Sequence, residues 1–121
     1  MADKTVLLID EHQDTNETYK FLLESMGYSV VILTKWLEVI NYIRTGNTPD
    51  LVIMGATFPA GRGLLKSISE LLDENSPNMI VVGTTLDNYP VEEMSKLGVV
   101  AALRRPVNVQ LLKRLVKIHI K

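Results

Sequence analysis

The chain is predicted to be an α/β protein, a doubly wound parallel sheet of five strands covered by five helices, and three observations in its 121 residues predict this. Short, almost wholly apolar runs recur along the sequence. Each is followed by a segment whose apolar residues fall at helical spacing. The runs are also too continuous for a sheet with one wet face, so both faces must be covered, and parallel strands joined by right-handed helical crossovers achieve this.

Thr5 to Ile9 (Thr-Val-Leu-Leu-Ile) is the first such run, ending at Asp10. Asp14 is placed to cap a helix whose residues Thr15, Thr18, Tyr19, Leu22, Leu23 and Met26 share a spacing, with Gly27 as its stop. Tyr28 to Leu33 is the second strand, and Trp36, Val39, Ile40 and Ile43 form one face of a helix stopped by Gly46. Leu51 to Met54 follows Pro49-Asp50 as the third strand, and Leu64, Leu65, Ile68, Leu71 and Leu72 are the predicted buried stripe of helix three. Asn75 to Asn78 then breaks the chain.

Met79 to Gly83 is strand four, and Pro90 stands at the first position of helix four, with Glu92 and Glu93 in its first turn and Gly98 at its end. Val99 to Leu103 is strand five. Asn108 is placed to cap a last helix carrying Val109, Leu111, Leu112, Leu115, Val116, Ile118 and Ile120, too many apolar residues for a single stripe, so some are expected at the surface.

A chain of this length suits one domain, residues 1–121, and 46% hydrophobic with 22% charged residues is globular composition. The absence of cysteine excludes disulfide scaffolds, thiolate metal sites and cysteine nucleophiles. Met1-Ala2-Asp3-Lys4 is polar, with no apolar h-region and no run of 18 apolar residues in the chain, so neither export signal nor membrane span is expected and the location expected is cytoplasmic. Net charge is only −1, yet every charged residue from Lys96 onward is basic: Lys96, Arg104, Arg105, Lys113, Arg114, Lys117 and Lys121. Cations near the end of a last helix complement its dipole; a basic end can also meet an acidic partner.

In a doubly wound sheet, chemistry gathers at the carboxyl ends of the strands. Those ends carry Asp10-Glu11, Gly55-Ala56-Thr57, Thr84-Thr85 and Arg104-Arg105-Pro106. With the Pro49-to-Met54 strand, the Pro59-to-Gly63 turn and Gly98, they make the chain resemble, over nearly its whole length, the receiver domain of bacterial two-component response regulators. The resemblance implies a flavodoxin-like (βα)5 fold. It also implies a site in which an acidic pair holds a divalent cation, an aspartate ending strand three accepts a phosphoryl group, a hydroxyl ending strand four binds it, and a lysine before a proline neutralises it.

Asp10 and Glu11 match the acidic pair and Thr84 the hydroxyl, but Gly55 stands where the acceptor aspartate belongs and Arg105 replaces the lysine. Ala102 occupies the place of an aromatic residue common in the family. The expectation is therefore an atypical receiver, a pseudo-receiver with a degenerate pocket of Asp10, Glu11, Gly55, Thr84 and Arg105, no catalytic residue, no cofactor and only Asp10 and Glu11 as residual metal candidates. Arg105, a planar fork suited to carboxylates, is expected to cross the space vacated at Gly55 and pair with Asp10 or Glu11 in the metal's place.

The function expected is a phosphorylation-independent interaction module, not an enzyme, using helix four, strand five and helix five with contacts at Lys96, Arg104, Lys113, Arg114 and Lys117. The expected partner is a signalling protein, an output domain or, through that same face, a second copy; membranes and direct nucleic-acid binding are not expected. Two alternatives stay open: phosphorylation on Asp10, Glu11 or Asp14, and a small anionic ligand bound near Gly55. His12 and His119 lack a partner cluster, so neither a metal-ligand nor a general-base role is expected of them. Gly61 and Gly63 lack the Walker and dinucleotide spacings and read as a turn, and no serine sits in a nucleophile elbow. Trp36 is expected at the edge of helix two, an interface anchor if exposed.

Overall fold

The computed structural model describes residues 3–86 and 89–121; Met1 and Ala2 of the polar N-terminus lie outside the described residues. Strands β1 (Thr5–Ile9), β2 (Ser29–Leu33), β3 (Leu51–Gly55), β4 (Asn78–Gly83) and β5 (Val99–Arg104) alternate with helices α1 (Gln13–Ser25), α2 (Trp36–Arg44), α3 (Gly61–Leu72), α4 (Val91–Lys96) and α5 (Val109–His119). A short 3-10 turn, Asp73–Asn75, follows α3. The strands are all parallel in the order β2-β1-β3-β4-β5.

Successive strand residues face opposite sides of a sheet, and the sequence supplies apolar side chains to both. Leu7 and Ile9 of β1 join Val52, Met54 and Val81 under α2 and α3, whereas Val6 and Leu8 join Leu51, Ile53 and Ile80 under α1 and α5. Fully burying one such Leu or Ile stabilises the fold by about 1.5–3 kcal/mol. The central strands β1, β3 and β4 are accordingly almost fully buried, while the edge strands β2 and β5 are partly open.

Local chemistry explains most boundaries. Glu38 reaches back to accept the Lys35 N–H at 3.1 Å and opens α2. Asn108 caps α5, its side chain accepting the Leu111 N–H at 3.0 Å. Gly98 ends α4 at φ +94°, a conformation disfavoured for residues with a Cβ.

Several expectations are corrected by a residue or by a face. Asp14 is not the cap of α1: the helix starts at Gln13, His12 holds the N-cap position, and Asp14 lies in the first turn, where its charge suits the dipole. Pro90 is the N-cap of α4 and Val91 its first residue. Leu71 is 44% exposed, because it borders an open groove between α2 and α3 shared with Trp36, Ile40 and Arg44. On α5 the surplus apolar residues do reach the surface, at Val109, Leu111 and Ile118, while Leu112 and Val116 are buried.

Candidate functional site

The strand order reverses between β1 and β3, which makes their carboxyl ends the crevice of the sheet. Asp10 follows β1 there and Gly55 ends β3. Asp10 is only 3% exposed. A carboxylate so deeply buried is costly unless its oxygens are hydrogen-bonded, and here both are. Oδ1 accepts the His12 backbone N–H at 2.9 Å and lies 2.8 Å from His12 Nδ1, and Oδ2 accepts from Arg105 Nη2 at 3.1 Å. With Asp10 ionised, a carboxylate that only accepts, this contact takes the His12 tautomer protonated on Nδ1.

Arg105 enters from the end of β5. Its backbone N–H donates to Gly83 O at 2.9 Å, and its Nη1 donates to Thr15 Oγ1 at 3.1 Å. The guanidinium is thus braced by α1 while it meets Asp10. On the far side, Asn16 of α1, itself buried, donates from Nδ2 to the Asp10 carbonyl at 2.8 Å and fixes the strand end. Tyr19, one turn further along α1, has its phenol pKa raised by burial, a shift opposed by the Arg105 charge and reinforced by Asp10.

Gly55 is more than a missing side chain. A Cβ built on it would lie 2.5 Å from Asp10 Oδ2 and 2.8 Å from Asp10 Cγ. The Asp10 carboxylate therefore fills the space over Gly55, which corrects the expectation that Arg105 would cross it: Arg105 reaches Asp10 from the Thr15 side instead. The pairing itself is present, to Asp10, and Glu11 is exposed with no side-chain partner among the described residues. Gly83 is similarly constrained, since a Cβ there would stand 2.4 Å from that of Ala56, whose N–H donates to Val82 O at 2.7 Å.

Thr84 is exposed at the end of β4 and lines, with His12, Thr15, Thr57 and Arg105, a cleft of about 200 Å³. Hydroxyls and a guanidinium make that cleft suited to an anion rather than a cation. A divalent cation such as Mg²⁺ takes several oxygen ligands in near-octahedral array. The residues present do not fit it: Gly55 offers no side-chain oxygen, the Asp10 carboxylate oxygens are engaged by His12 and Arg105, and Glu11 stands alone. No group of three or more His, Cys, Asp or Glu able to hold a metal occurs among the described residues.

Asp10, Gly55, Thr84 and Arg105 thus meet at one end of the sheet, with Glu11 at its margin. His12, Thr15 and Asn16 were not singled out as site residues in the sequence. His12 does have a partner, Asp10, though as a clamp and not as a metal ligand. The Asp-x-His spacing at a strand end was the available signal, because an aspartate commonly accepts the backbone N–H two residues on.

The interaction candidates lie elsewhere. Lys96 ends α4, Arg104 ends β5, and Lys113, Arg114 and Lys117 lie on α5; all but the partly buried Lys113 are exposed. None of the five is in an ion pair among the described residues. Trp36 is 38% exposed beside the α2–α3 groove. No helix among the described residues is long and apolar enough to cross a membrane.

Residues 6–117 match the family model described as the response regulator receiver domain. The chain is 29% identical over 89 residues to the CAI-1 autoinducer sensor kinase/phosphatase CqsS of Vibrio cholerae, a stretch that is 73% of this chain and 13% of that protein. It superposes on a response regulator receiver protein from Pseudomonas putida with TM-score 0.84 and 25% identity, covering 98% of this chain and 99% of the other. A two-component response regulator from Clostridium difficile gives TM-score 0.83 at 22% identity, covering 96% and 94%. The receiver domain of a Pseudomonas aeruginosa sensor histidine kinase, solved with a magnesium ion coordinated in its active site cleft, gives 0.80 at 16% identity, covering 98% of each chain. With its five-stranded parallel sheet, its strand-end site and a family match over residues 6–117, this chain belongs to the response regulator receiver domain family.

Proposed function

We propose that this receiver domain is a pseudo-receiver, a phosphorylation-independent module of two-component signalling that works by protein-protein contact and carries out no catalysis of its own. One observation carries the proposal: the place of a phosphoacceptor side chain at the end of β3 is held by Gly55, and the space such a side chain needs is filled by the Asp10 carboxylate. Arg105 then supplies the positive charge that Asp10 requires, so the pocket is neutralised without metal or phosphoryl group. The contact face is that of α4, β5 and α5, where unpaired basic residues stand beside exposed aliphatics. Its partner is a signalling protein, an output domain or a second copy of the chain, in the cytoplasm.

Phosphorylation on another acid is less well supported. Asp10 is buried and engaged, and Glu11 and Asp14 are exposed side chains with no cation beside them among the described residues. A small anion in the cleft of Thr84, His12 and Arg105 is the reading with a specific observation in its favour, since Arg105 uses only two of its five N–H donors on side chains.

The test is a small phosphodonor with Mg²⁺ followed by intact mass, beside an amide NMR titration with Mg²⁺ and beryllofluoride. An unchanged mass and no saturable shift at Asp10, Gly55 or Thr84 are expected. A stoichiometric gain of one phosphoryl group overturns the proposal, and saturable shifts without modification favour the anion site.

A further inference from the structure

Trp36 and Leu71, 38% and 44% exposed, stand on the two walls of a groove of about 260 Å³ between α2 and α3. Ile40, only 4% exposed, lies in the same lining, which Arg44, Ser67 and Glu70 complete. Trp36 is the one tryptophan of the chain, and tryptophan gains much by being covered. Both helices are crossovers between parallel strands, so they run alongside each other in the same direction, against the strands. Trp36 opens α2 at one end of the groove. Arg44, the last residue of α2, and Leu71, the last but one of α3, lie toward the other.

The charges of the lining decide what covers it. It carries one base and one acid, so a strongly charged partner finds no hold there. Glu70 has Lys66 at 4.0 Å on its own helix, whereas Arg44 has no ion partner among the described residues. A guanidinium stacks favourably on the face of an indole. Trp36 and Arg44 open and close the same helix, roughly 12 Å apart along its axis, too far to meet within one chain. A two-fold rotation exchanges the ends of the groove. It sets Trp36 of each copy against Leu71 and Arg44 of the other, so a single surface supplies both the anchor and its receptor.

We propose that this groove is the interface of a symmetric dimer, its occupant a second copy of the chain that lays its indole on the facing Leu71 and Arg44. Two helices this short present on the order of 400 Å² between them, against about 800 Å² per partner in a standard complex, so the dimer is weak and concentration-dependent. The interface uses no residue of α4, β5 or α5, and pairing therefore leaves that face free in both copies. The inference goes beyond the protein-contact reading above and does not depend on it.

With one tryptophan in the chain, fluorescence reads this interface directly. The whole chain is diluted from about 1 mM to about 5 µM, a range that brackets a Kd on the order of 0.1 mM, and followed by sedimentation equilibrium and by tryptophan emission. The mass should fall from dimer to monomer, with the emission moving to the red at the same midpoint. Leu71→Asp should weaken association at least tenfold. Arg44→Gln, a change at an exposed side chain that spares the fold, should weaken it about threefold, and Val91→Asp on α4 should leave it unchanged. A monomer throughout the range overturns the proposal. Equal association in Leu71→Asp or in Arg44→Gln, a dimer that dissociates with no change in emission, or loss of the dimer in Val91→Asp does the same by moving the interface elsewhere. A monomer whose emission turns blue only when an amphipathic Leu-Lys helical peptide is added replaces the second copy with a partner's helix.

Discussion

Restoring a side chain at the end of β3 should be harmful, and Gly55→Ala is the smallest way to show it. The new Cβ would meet Asp10 Oδ2 at 2.5 Å and Cγ at 2.8 Å, well inside contact distance. The tip of an exposed aspartate would swing away at little cost. Asp10 is 3% exposed and held by two contacts to His12 and one to Arg105, so moving it sacrifices hydrogen bonds. Overpacking a fitted interior costs roughly 1–3 kcal/mol, and each hydrogen bond to a charged group that is stretched or lost is worth about 1.5–3 kcal/mol. The net expectation is a loss of about 2–3 kcal/mol, read from the midpoint of urea unfolding at unchanged slope. A double-mutant cycle isolates the cause, because Asp10→Ala removes the three atoms nearest to the new Cβ. In that background Gly55→Ala should cost at least ~1 kcal/mol less. An equal cost in both backgrounds, or none in the native one, would refute the idea that the carboxylate occupies the acceptor's place.

Four further outcomes are expected. Arg105→Gln removes the charge that faces the buried Asp10; since Arg105 is itself part-exposed, the loss should be about 1–3 kcal/mol, and Arg105→Lys should restore only part of it. Burial raises the phenol pKa of Tyr89 above its ordinary value near 10. A raised folded-state value means that the folded chain holds the proton more tightly, so stability is full below pH 10 and falls as pH rises through the folded value; Tyr89→Phe should flatten that fall in unfolding curves taken above pH 10. Asn108→Ala should cost about 1 kcal/mol by removing the α5 cap, measured by thermal melting. Arg114→Glu with Lys117→Glu should leave stability within ~0.5 kcal/mol, both side chains being exposed and unpaired, yet weaken capture of the signalling partner at low salt.

The fold was legible because it is written in short-range pattern. Val6 to Ile9 and Leu51 to Met54 are apolar on consecutive residues, as a strand covered on both faces requires. The site was legible as a set of positions: Asp10, Gly55, Thr84 and Arg105 each end a strand or follow one. What fills the space over Gly55 was not, since it depends on the side-chain direction of a residue 45 positions earlier, and no periodicity encodes that. His12 escaped notice because its partner is a carboxylate two residues away, a contact created by the turn after β1. Leu71 shows the limit of a helical stripe, which tells which residues share a face but not how far the neighbouring helix extends to cover them.

The bond between Arg105 and Asp10 joins residues 95 positions apart. During synthesis the first four strands therefore emerge before the cation that neutralises the first strand's carboxylate exists. Until then Asp10 has only its near neighbour His12 to satisfy it, and burying it is correspondingly costly. Since contacts of such long sequence separation are made at high loop-closure cost, the pocket is expected to be among the last parts of the molecule to set. A nascent chain shorter than 105 residues would then hold β1 more loosely than the finished protein does, and protease sensitivity at the β1–α1 turn would report the moment of closure.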